Sequence, residues 1–201
     1  MFSIENKLPQ PMRPHGLRGR IFGTLMERLN RPAYRLAAGL AAPPRGGAFL
    51  EIGFGTGRLL DMLAERDATL FLAGIDASPL MVATATRRLD RRRVARDLRG
   101  GNAERLPWSE DEFDAAAALH CFQFWADPTA VLNEVHRTLK PGGVFVMVLR
   151  HREGRETERL PNPWSRGEDE TGSAKALMRK AGFEVERADD HGRSPVLIGR
   201  C

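Results

Sequence analysis

The sequence has very little cysteine and no long apolar run. Its 201 residues include two cysteines, Cys121 and Cys201, which cannot form a disulfide framework or a four-ligand metal site. No apolar stretch approaches the length of about 18 residues that a membrane span needs. The segment Met1–Lys7 lacks the basic-then-apolar layout of a signal peptide. We therefore expect a cytoplasmic protein with no metal site and no membrane span.

Positive charge exceeds negative charge, with a formal net charge of +5 and a sequence pI of about 9.8. Such a balance is compatible with a surface for nucleic acid or another polyanion, or with an ordinary solvated helix face. The segment 87–99, where arginines are clustered, lacks the interleaved aromatic residues that stack on bases, which favours the solvated face. Seven arginines are clustered, at Arg87, Arg88, Arg91, Arg92, Arg93, Arg96 and Arg99.

The length favours one domain with a substantial core. Proline and glycine in residues 1–16 indicate an irregular arm. Apolar residues at helical spacing predict helices over Leu17–Leu29 and Pro32–Leu40. We therefore divide the chain into an arm with cap helices at 1–45 and the main domain at 46–201.

Strand-like and helix-like segments alternate after residue 46, which predicts a parallel sheet with right-handed crossovers. Asp127 is the expected N-cap of the predicted helix at 128–139, and Gly142-Gly143 its expected stop. The region 151–170 is charged and contains prolines, so we expect a mobile loop. Strands are predicted at 48–52, 70–75, 95–99, 113–119 and 144–149, helices at 57–66, 78–90, 128–139 and 173–181, and a final hairpin at 183–187 and 195–199.

The first strand runs into a glycine-rich turn, Gly53-Phe54-Gly55-Thr56-Gly57, which a helix follows. Such a turn presents unpaired backbone N–H groups and the positive end of a helix dipole. Because glycine has no Cβ, a ligand can lie against this backbone. The alternative is a turn that only packs a helix on a sheet, since short glycine motifs occur often by chance.

Two carboxylates indicate what ligand would lie there. The second strand ends in Asp76, 19 residues after Gly57, the position that typically binds ribose hydroxyls. Glu51 ends the first strand, where its charge would repel a pyrophosphate and attract an ammonium group. The residues thus favour a ligand that has a ribose and a cationic amine and needs no phosphate.

These segments resemble motifs of the class I S-adenosylmethionine-dependent methyltransferases, in particular the methyltransferase-11-like group. The resemblance covers residues 46 to 150 and includes Leu50–Gly57, Gly74–Met81, Gly101–Trp108 and Phe113–His120. It implies a doubly wound α/β fold: a mostly parallel, seven-stranded Rossmann-like sheet with N-terminal helices and a C-terminal antiparallel strand pair.

The resemblance also implies the cofactor, S-adenosylmethionine, with S-adenosylhomocysteine as product. Glu51 would meet the donor's amino group, Asp76 the ribose hydroxyls, and Asn102 the exocyclic amine of adenine. Asn102 departs from the commoner aspartate, and a plain turn residue is its alternative role. The implied donor contacts are Glu51, Gly53, Phe54, Gly55, Thr56, Gly57, Asp76, Ala77, Met81, Asn102, Ala103 and Leu119.

His120 follows the fourth strand, where open α/β sheets place reacting groups. It is a candidate general base toward an acceptor, or a residue that seats the donor, and a purely packed histidine is as compatible with the pattern. We expect methyl transfer to a small-molecule acceptor. The alternatives are a methyltransferase acting on nucleic acid or protein, and a donor-binding protein without transferase activity. The residues identify neither the acceptor atom nor the oligomeric state.

Overall fold

The computed structural model of the protein describes residues 30–149, 169–188 and 194–201. The N-terminal arm and the predicted helix at Leu17–Leu29 lie outside the described residues, as does most of the predicted loop at 151–170. That loop prediction is wrong at its end, because Asp169 and Glu170 already belong to a helix.

The described residues form seven strands and five α-helices, with a short 3-10 helix at Phe122–Phe124. The helices are α1 (Arg31–Ala41), α2 (Arg58–Arg66), α3 (Pro79–Leu89), α4 (Pro128–Thr138) and α5 (Asp169–Lys180). The strands are β1 (Ala48–Ile52), β2 (Phe71–Asp76), β3 (Ala95–Gly100), β4 (Phe113–Leu119), β5 (Leu139–Val148), β6 (Glu184–Ala188) and β7 (Val196–Arg200).

All seven strands form one sheet in the order β3-β2-β1-β4-β5-β7-β6. The pairings among β1 to β5 are parallel, and β7 lies antiparallel between β5 and β6. The predicted fold class is confirmed. Strand order reverses between β1 and β4, and open α/β sheets bind ligands in the crevice at the carboxyl ends of such strands.

The core lies on both faces of the sheet. One apolar cluster contains Leu50 and Ile52 of β1, and the other contains Phe49 of the same strand. This alternation explains why the central strands read as continuous apolar runs. Helix α1 packs against β4, β5 and α2, with Ala37 and Ala38 buried. The division of the chain at residues 45 and 46 stays a prediction.

Helix α4 begins as the sequence predicts and ends earlier. Its N-cap is Asp127, whose carboxylate accepts hydrogen bonds of 3.0 Å from the backbone N–H groups of Thr129 and Ala130. The expected stop at Gly142-Gly143 is wrong, because both glycines lie within β5. The C-terminal residue holds them there: Gly142 N donates to the carbonyl of Cys201, and Cys201 N donates to that of Gly143.

Over the described ranges, the helices are too short or too polar to cross a membrane. The same residues contain no cluster of histidine, cysteine and carboxylate side chains that could hold a metal ion.

Candidate functional site

Three glycines of the turn between β1 and α2 have positive φ, and two of them also leave little room for a side chain. Gly57 has φ +72° and Gly53 has φ +69°, both in the left-handed region. A Cβ at Gly57 would come within 2.7 Å of the Ala85 Cβ on α3. One at Gly53 would lie 3.0 Å from the Cβ of Cys121. The sequence-predicted turn is thus compressed between α3 and the segment after β4.

Asp76 ends β2 directly beside this turn. One carboxylate oxygen accepts a 2.7 Å hydrogen bond from Gly55 N, and the other accepts 2.8 Å from Ser78 N. Burial raises the pKa of Asp76, and these two backbone bonds act in the opposite direction. The carboxylate therefore links the glycine turn to the end of β2 by a hydrogen bond. Each of its oxygens can still accept a further hydrogen bond, such as one from a ribose hydroxyl.

Glu51 lies one residue before the end of β1 and is almost fully buried, at 1% exposure. Its Oε2 atom has no hydrogen-bond partner among the described residues. Burial, and secondarily the charge of Asp76, raise the pKa of Glu51 well above its usual value, while the Leu60 backbone N–H lowers it. A buried carboxyl oxygen without a donor is costly to the protein and fits a cationic ligand group.

The side chains of two residues of the turn, Phe54 and Thr56, contact other parts of the protein. Phe54 is 2% exposed, packs in the apolar core, and occupies the space that a side chain at Gly74 would need. Only its backbone can face a ligand. The Thr56 hydroxyl accepts a 3.3 Å hydrogen bond from the guanidinium of Arg88 on α3. Sequence reasoning missed Arg88, because nothing local to the motif signals it.

The segment after β3 joins the site through the backbone. Gly101 N donates a 3.1 Å hydrogen bond to the carbonyl of Asp76. The Asn102 side-chain oxygen accepts from Glu104 N at 3.1 Å, so the turn role considered for this residue is present. Its amide group is exposed beside the buried Ala103. After Asp76 in the sequence, Ala77 is exposed and Met81 is buried.

His120 follows Leu119 at the carboxyl end of β4 and has φ +53°, which is uncommon for a residue with a side chain. Two hydrogen bonds hold this backbone. His120 N donates to the Val148 carbonyl, and the Gln123 side-chain amide donates to the His120 carbonyl, each at 2.8 Å. Backbone strain of this kind is concentrated at functional sites. Gln123 is a second residue that the motif-based reading missed.

The thiol of Cys121 donates a 3.3 Å hydrogen bond to the carbonyl of Ile52. Burial, and secondarily the charges of Asp76 and Glu51, raise the pKa of this thiol. A thiol held in its protonated form is a poor nucleophile, so Cys121 is a packing residue. Phe122 is buried and meets the half-buried Trp125 edge to face at 5.3 Å.

The arginine cluster at 87–99 is largely engaged within the protein. Its members Arg92, Arg96 and Arg99 form ion pairs with acidic residues, and Arg99 also lies 5.6 Å from the Trp108 ring centre. Four members are exposed on the surface, Arg87, Arg91, Arg93 and the ion-paired Arg99.

A cavity of about 590 Å³ lies near the amino ends of β1 and β2, at the opposite ends of these strands from the glycine turn. Arg45, Arg66 and Leu70 contribute to its lining. None of the predicted donor contacts line it. The candidate site therefore lies at the carboxyl ends of the strands, where the predicted donor contacts are found.

The sheet order and the glycine turn define a Rossmann-like α/β protein, a fold that binds ligands at the switch point of its sheet. Residues 50–147 match the model of the methyltransferase domain family. An uncharacterized methyltransferase of Bacillus subtilis is 32% identical over 54% of this chain and 59% of its own length. The demethylmenaquinone methyltransferase of Thermus thermophilus is 33% identical over 57% of this chain and 52% of its own length. This chain therefore matches little more than half the length of these curated relatives.

Solved structures agree on the fold. A methyltransferase of Aquifex aeolicus, described as dependent on S-adenosylmethionine, superposes with a TM-score of 0.71 at 19% identity. The superposition covers 89% of this chain and 97% of that one. Residues 50–147 thus resemble the class I S-adenosylmethionine-dependent methyltransferases, and the cofactor of that family is S-adenosylmethionine.

Proposed function

We propose that this protein transfers a methyl group from S-adenosylmethionine to a small-molecule acceptor. One observation carries the donor part of the proposal. The buried Glu51 carboxyl, with its unpartnered Oε2, lies beside the glycine turn that Asp76 fastens to β2. A ligand that has an ammonium group at one end and ribose hydroxyls near the other would satisfy both carboxylates.

The residues divide the donor between them. Glu51 receives the ammonium group, directly or through one water, and Asp76 receives the ribose hydroxyls. Glycine at three positions of the turn lets the donor approach the backbone. Asn102 and the backbone N–H of Ala103 meet the adenine edge. The remaining contacts are Ala77 and Met81 against the nucleoside, Leu119 at the end of β4, and the backbone of Phe54 and Thr56.

When bound, S-adenosylmethionine supplies a methyl group on a sulfonium, whose leaving group is a neutral thioether. Such a transfer needs little acid–base help, and its barrier falls mainly through in-line positioning of the acceptor. The protein's part is to hold the donor rigidly and to exclude water. His120, at the carboxyl end of β4, is the candidate to take a proton from an acceptor hydroxyl or amine, or to seat the donor's amino-acid end.

The relatives support a small-molecule acceptor, since the Thermus thermophilus relative is named for demethylmenaquinone. The paired arginines at 92, 96 and 99 also leave less free charge for a polyanion than the sequence suggests. A methyltransferase acting on nucleic acid or protein is the second candidate, because Arg87, Arg91 and Arg93 are exposed. Retention on heparin that falls steeply with salt would favour it over the first.

Donor binding is tested by calorimetry with S-adenosylmethionine and S-adenosylhomocysteine. We expect micromolar affinity, a binding free energy of about −8 kcal/mol. Asp76→Ala should lose at least about 1.5 kcal/mol, because charge-assisted hydrogen bonds disappear. Asp90→Ala is the matched control, since Asp90 is an exposed aspartate at the far end of α3. Equal affinities for the two variants would contradict the proposed donor site.

Methyl transfer itself needs a separate measurement. The protein is incubated with methyl-labelled S-adenosylmethionine and a metabolite extract, and labelled small molecules are separated and counted. Label in a small-molecule product supports the proposal. Donor binding with no label transferred to small molecules, nucleic acid or protein would leave a donor-binding protein without transferase activity.

A further inference from the structure

Glu51 and Asp76 form a pair of carboxyl groups on one face of the sheet. Glu51 pairs with Gly74 in the parallel register of β1 and β2. Side chains alternate along a strand, so Gly74 and Asp76 project to the same face as Glu51. The two carboxyl groups are close enough that the charge of Asp76 raises the pKa of Glu51.

The two groups differ in how the protein satisfies them. Asp76 accepts backbone hydrogen bonds on both oxygens, from Gly55 and Ser78, and such bonds stabilise a carboxylate. Glu51 is 1% exposed and its Oε2 has no partner among the described residues. An ionised carboxylate in that position would be buried without compensation, whereas a protonated one is tolerated far more easily.

No described cation offsets the Glu51 charge. On α2, Arg58 pairs with Asp61. The charged residues of α1, Arg31 and Arg35, are exposed.

The remaining elements next to Glu51 are α3, β2 and the segment after β4. On α3, the Arg88 guanidinium is directed to Thr56. His120 and Cys121 follow β4, and the Cys121 thiol is held in its protonated form by burial. From β2, the charge that acts on Glu51 is that of Asp76.

We propose that Glu51 carries a proton in the donor-free protein and releases it when the donor's ammonium group binds, so that donor binding and proton release are coupled. This inference rests on the proposed function, because it needs the donor in the cleft. The O–H bond of the Glu51 carboxyl breaks, the proton goes to the solvent, and the resulting carboxylate accepts a hydrogen bond from the ammonium group.

The coupling follows from the opposite effects of burial and of a nearby cation on a carboxyl group. Burial and Asp76 raise the pKa of Glu51 in the donor-free protein. An ammonium group at Oε2 lowers it, so the bound state holds fewer protons. By linkage, affinity for the donor rises with pH while free Glu51 is protonated and levels off above its pKa.

The test is titration calorimetry with S-adenosylhomocysteine, which carries the same ammonium group and no sulfonium. At about pH 6.5 an α-amino group is mostly protonated already and contributes little to the proton balance. The titration is repeated in two buffers of different ionisation enthalpy. We expect the binding heats to differ by an amount that corresponds to release of up to one proton per ligand.

Two variants locate the proton. Glu51→Gln should show no buffer dependence and should bind about tenfold more weakly or worse, since an amide cannot provide the charge. Glu65→Gln, a matched change at an exposed glutamate of α2, should keep both the affinity and the proton release. Proton release that persists in Glu51→Gln would assign the proton to another group and overturn the inference.

An infrared measurement on the wild-type protein needs no variant that must fold. The donor-free protein should show the carbonyl band of a buried carboxylic acid, and S-adenosylhomocysteine should remove it. Binding with identical heats in both buffers would overturn the coupling and leave the donor site in place. No binding heat in either buffer, and no ligand-induced change in the spectrum, would instead contradict the proposed function.

Discussion

Carboxylates at the amino ends of the strands and carboxylates at their carboxyl ends have pKa values shifted in opposite directions. We call these two ends the amino edge and the carboxyl edge of the sheet. At the amino edge, Asp114 accepts hydrogen bonds of 2.8 Å from the Lys140 ammonium and from Ala48 N. Burial acts to raise the pKa of Asp114, but these partners outweigh it and lower it. Asp67, at the same edge, has its pKa lowered mainly by the hydroxyl and the backbone N–H of Thr69.

At the carboxyl edge, burial raises the pKa of both Glu51 and Asp76. At the amino edge the protein's own hydrogen-bond partners outweigh burial, whereas at the carboxyl edge burial outweighs the hydrogen bonds that the protein provides. The direction of the carboxyl pKa therefore separates carboxylates that hold this fold together from the two that we propose bind the donor.

The largest difference in stability between the two edges should come from replacing one glycine at each edge by alanine. Gly57 and Gly46 have similar backbone angles, φ +72° and φ +70°. Gly57→Ala adds backbone strain and a contact of 2.7 Å with Ala85, for a loss of roughly 3 kcal/mol in the free energy of unfolding, and donor affinity falls with it. Gly46→Ala meets only Thr69 at 3.7 Å, so it should cost roughly 1 kcal/mol and leave donor affinity unchanged. Urea denaturation and calorimetry measure both, and equal losses would break the comparison.

The next effect concerns the pH dependence that Glu51 imposes on stability. Because its pKa is raised in the folded state, the folded protein holds a proton that the unfolded chain loses above about pH 4.3. The Glu51 contribution therefore makes the donor-free protein less stable as pH rises through this window, up to the folded pKa. Glu51→Gln removes that slope, so its stability relative to wild type should increase from acid toward neutral pH. Urea denaturation over a pH series checks it, and a flat difference would contradict it.

Asp114 should show the opposite sign. Its folded pKa is lowered, so its contribution to stability is present above the unfolded pKa of about 3.9 and is lost as pH falls through the folded pKa. Asp114→Asn should lose about 1 kcal/mol at neutral pH, a modest figure because the Lys140 side chain is 42% exposed. Donor affinity measured by calorimetry should stay at the wild-type value. A loss of affinity comparable to that of Asp76→Ala would erase the distinction between the edges.

The smallest effect is expected at His120, whose positive φ places strain at the carboxyl edge. Glycine relieves that strain but adds freedom to the unfolded chain, so His120→Gly should exceed His120→Ala in stability by about 0.5 kcal/mol. If His120 handles a proton of the acceptor, both variants should lose turnover while keeping donor affinity. A His120→Ala protein as stable as His120→Gly would show that the backbone is not strained.

Much of the architecture could be predicted because the central strands are apolar on both faces and the turns between them are marked by glycine. β4 has the bounds that the sequence predicts, Phe113–Leu119. The start of β5 could not be predicted, since Gly142 and Gly143 read as a helix stop. Their strand pairing depends on Cys201, which is distant in the sequence and brought near only by the folded sheet.

The candidate site, like the fold, could be predicted only in part from the sequence. Glu51 and Asp76 could be selected from their positions at strand ends, since their spacing from the glycine turn has a physical reason. What the sequence could not show is that Oε2 of Glu51 lacks a partner, or that Arg88 reaches Thr56 from another helix. Both depend on how α2 and α3 pack over the turn, and local residue patterns do not predict this packing.

The most direct test of this account is a crystal structure of the protein with S-adenosylhomocysteine. The account predicts the ligand's ammonium group about 3 Å from Glu51 Oε2, or one water away, and the ribose hydroxyls on Asp76. The carboxylates of the amino edge should keep their present partners. A cleft that stays empty at saturating ligand, or that is filled by the protein's own side chains, would contradict it.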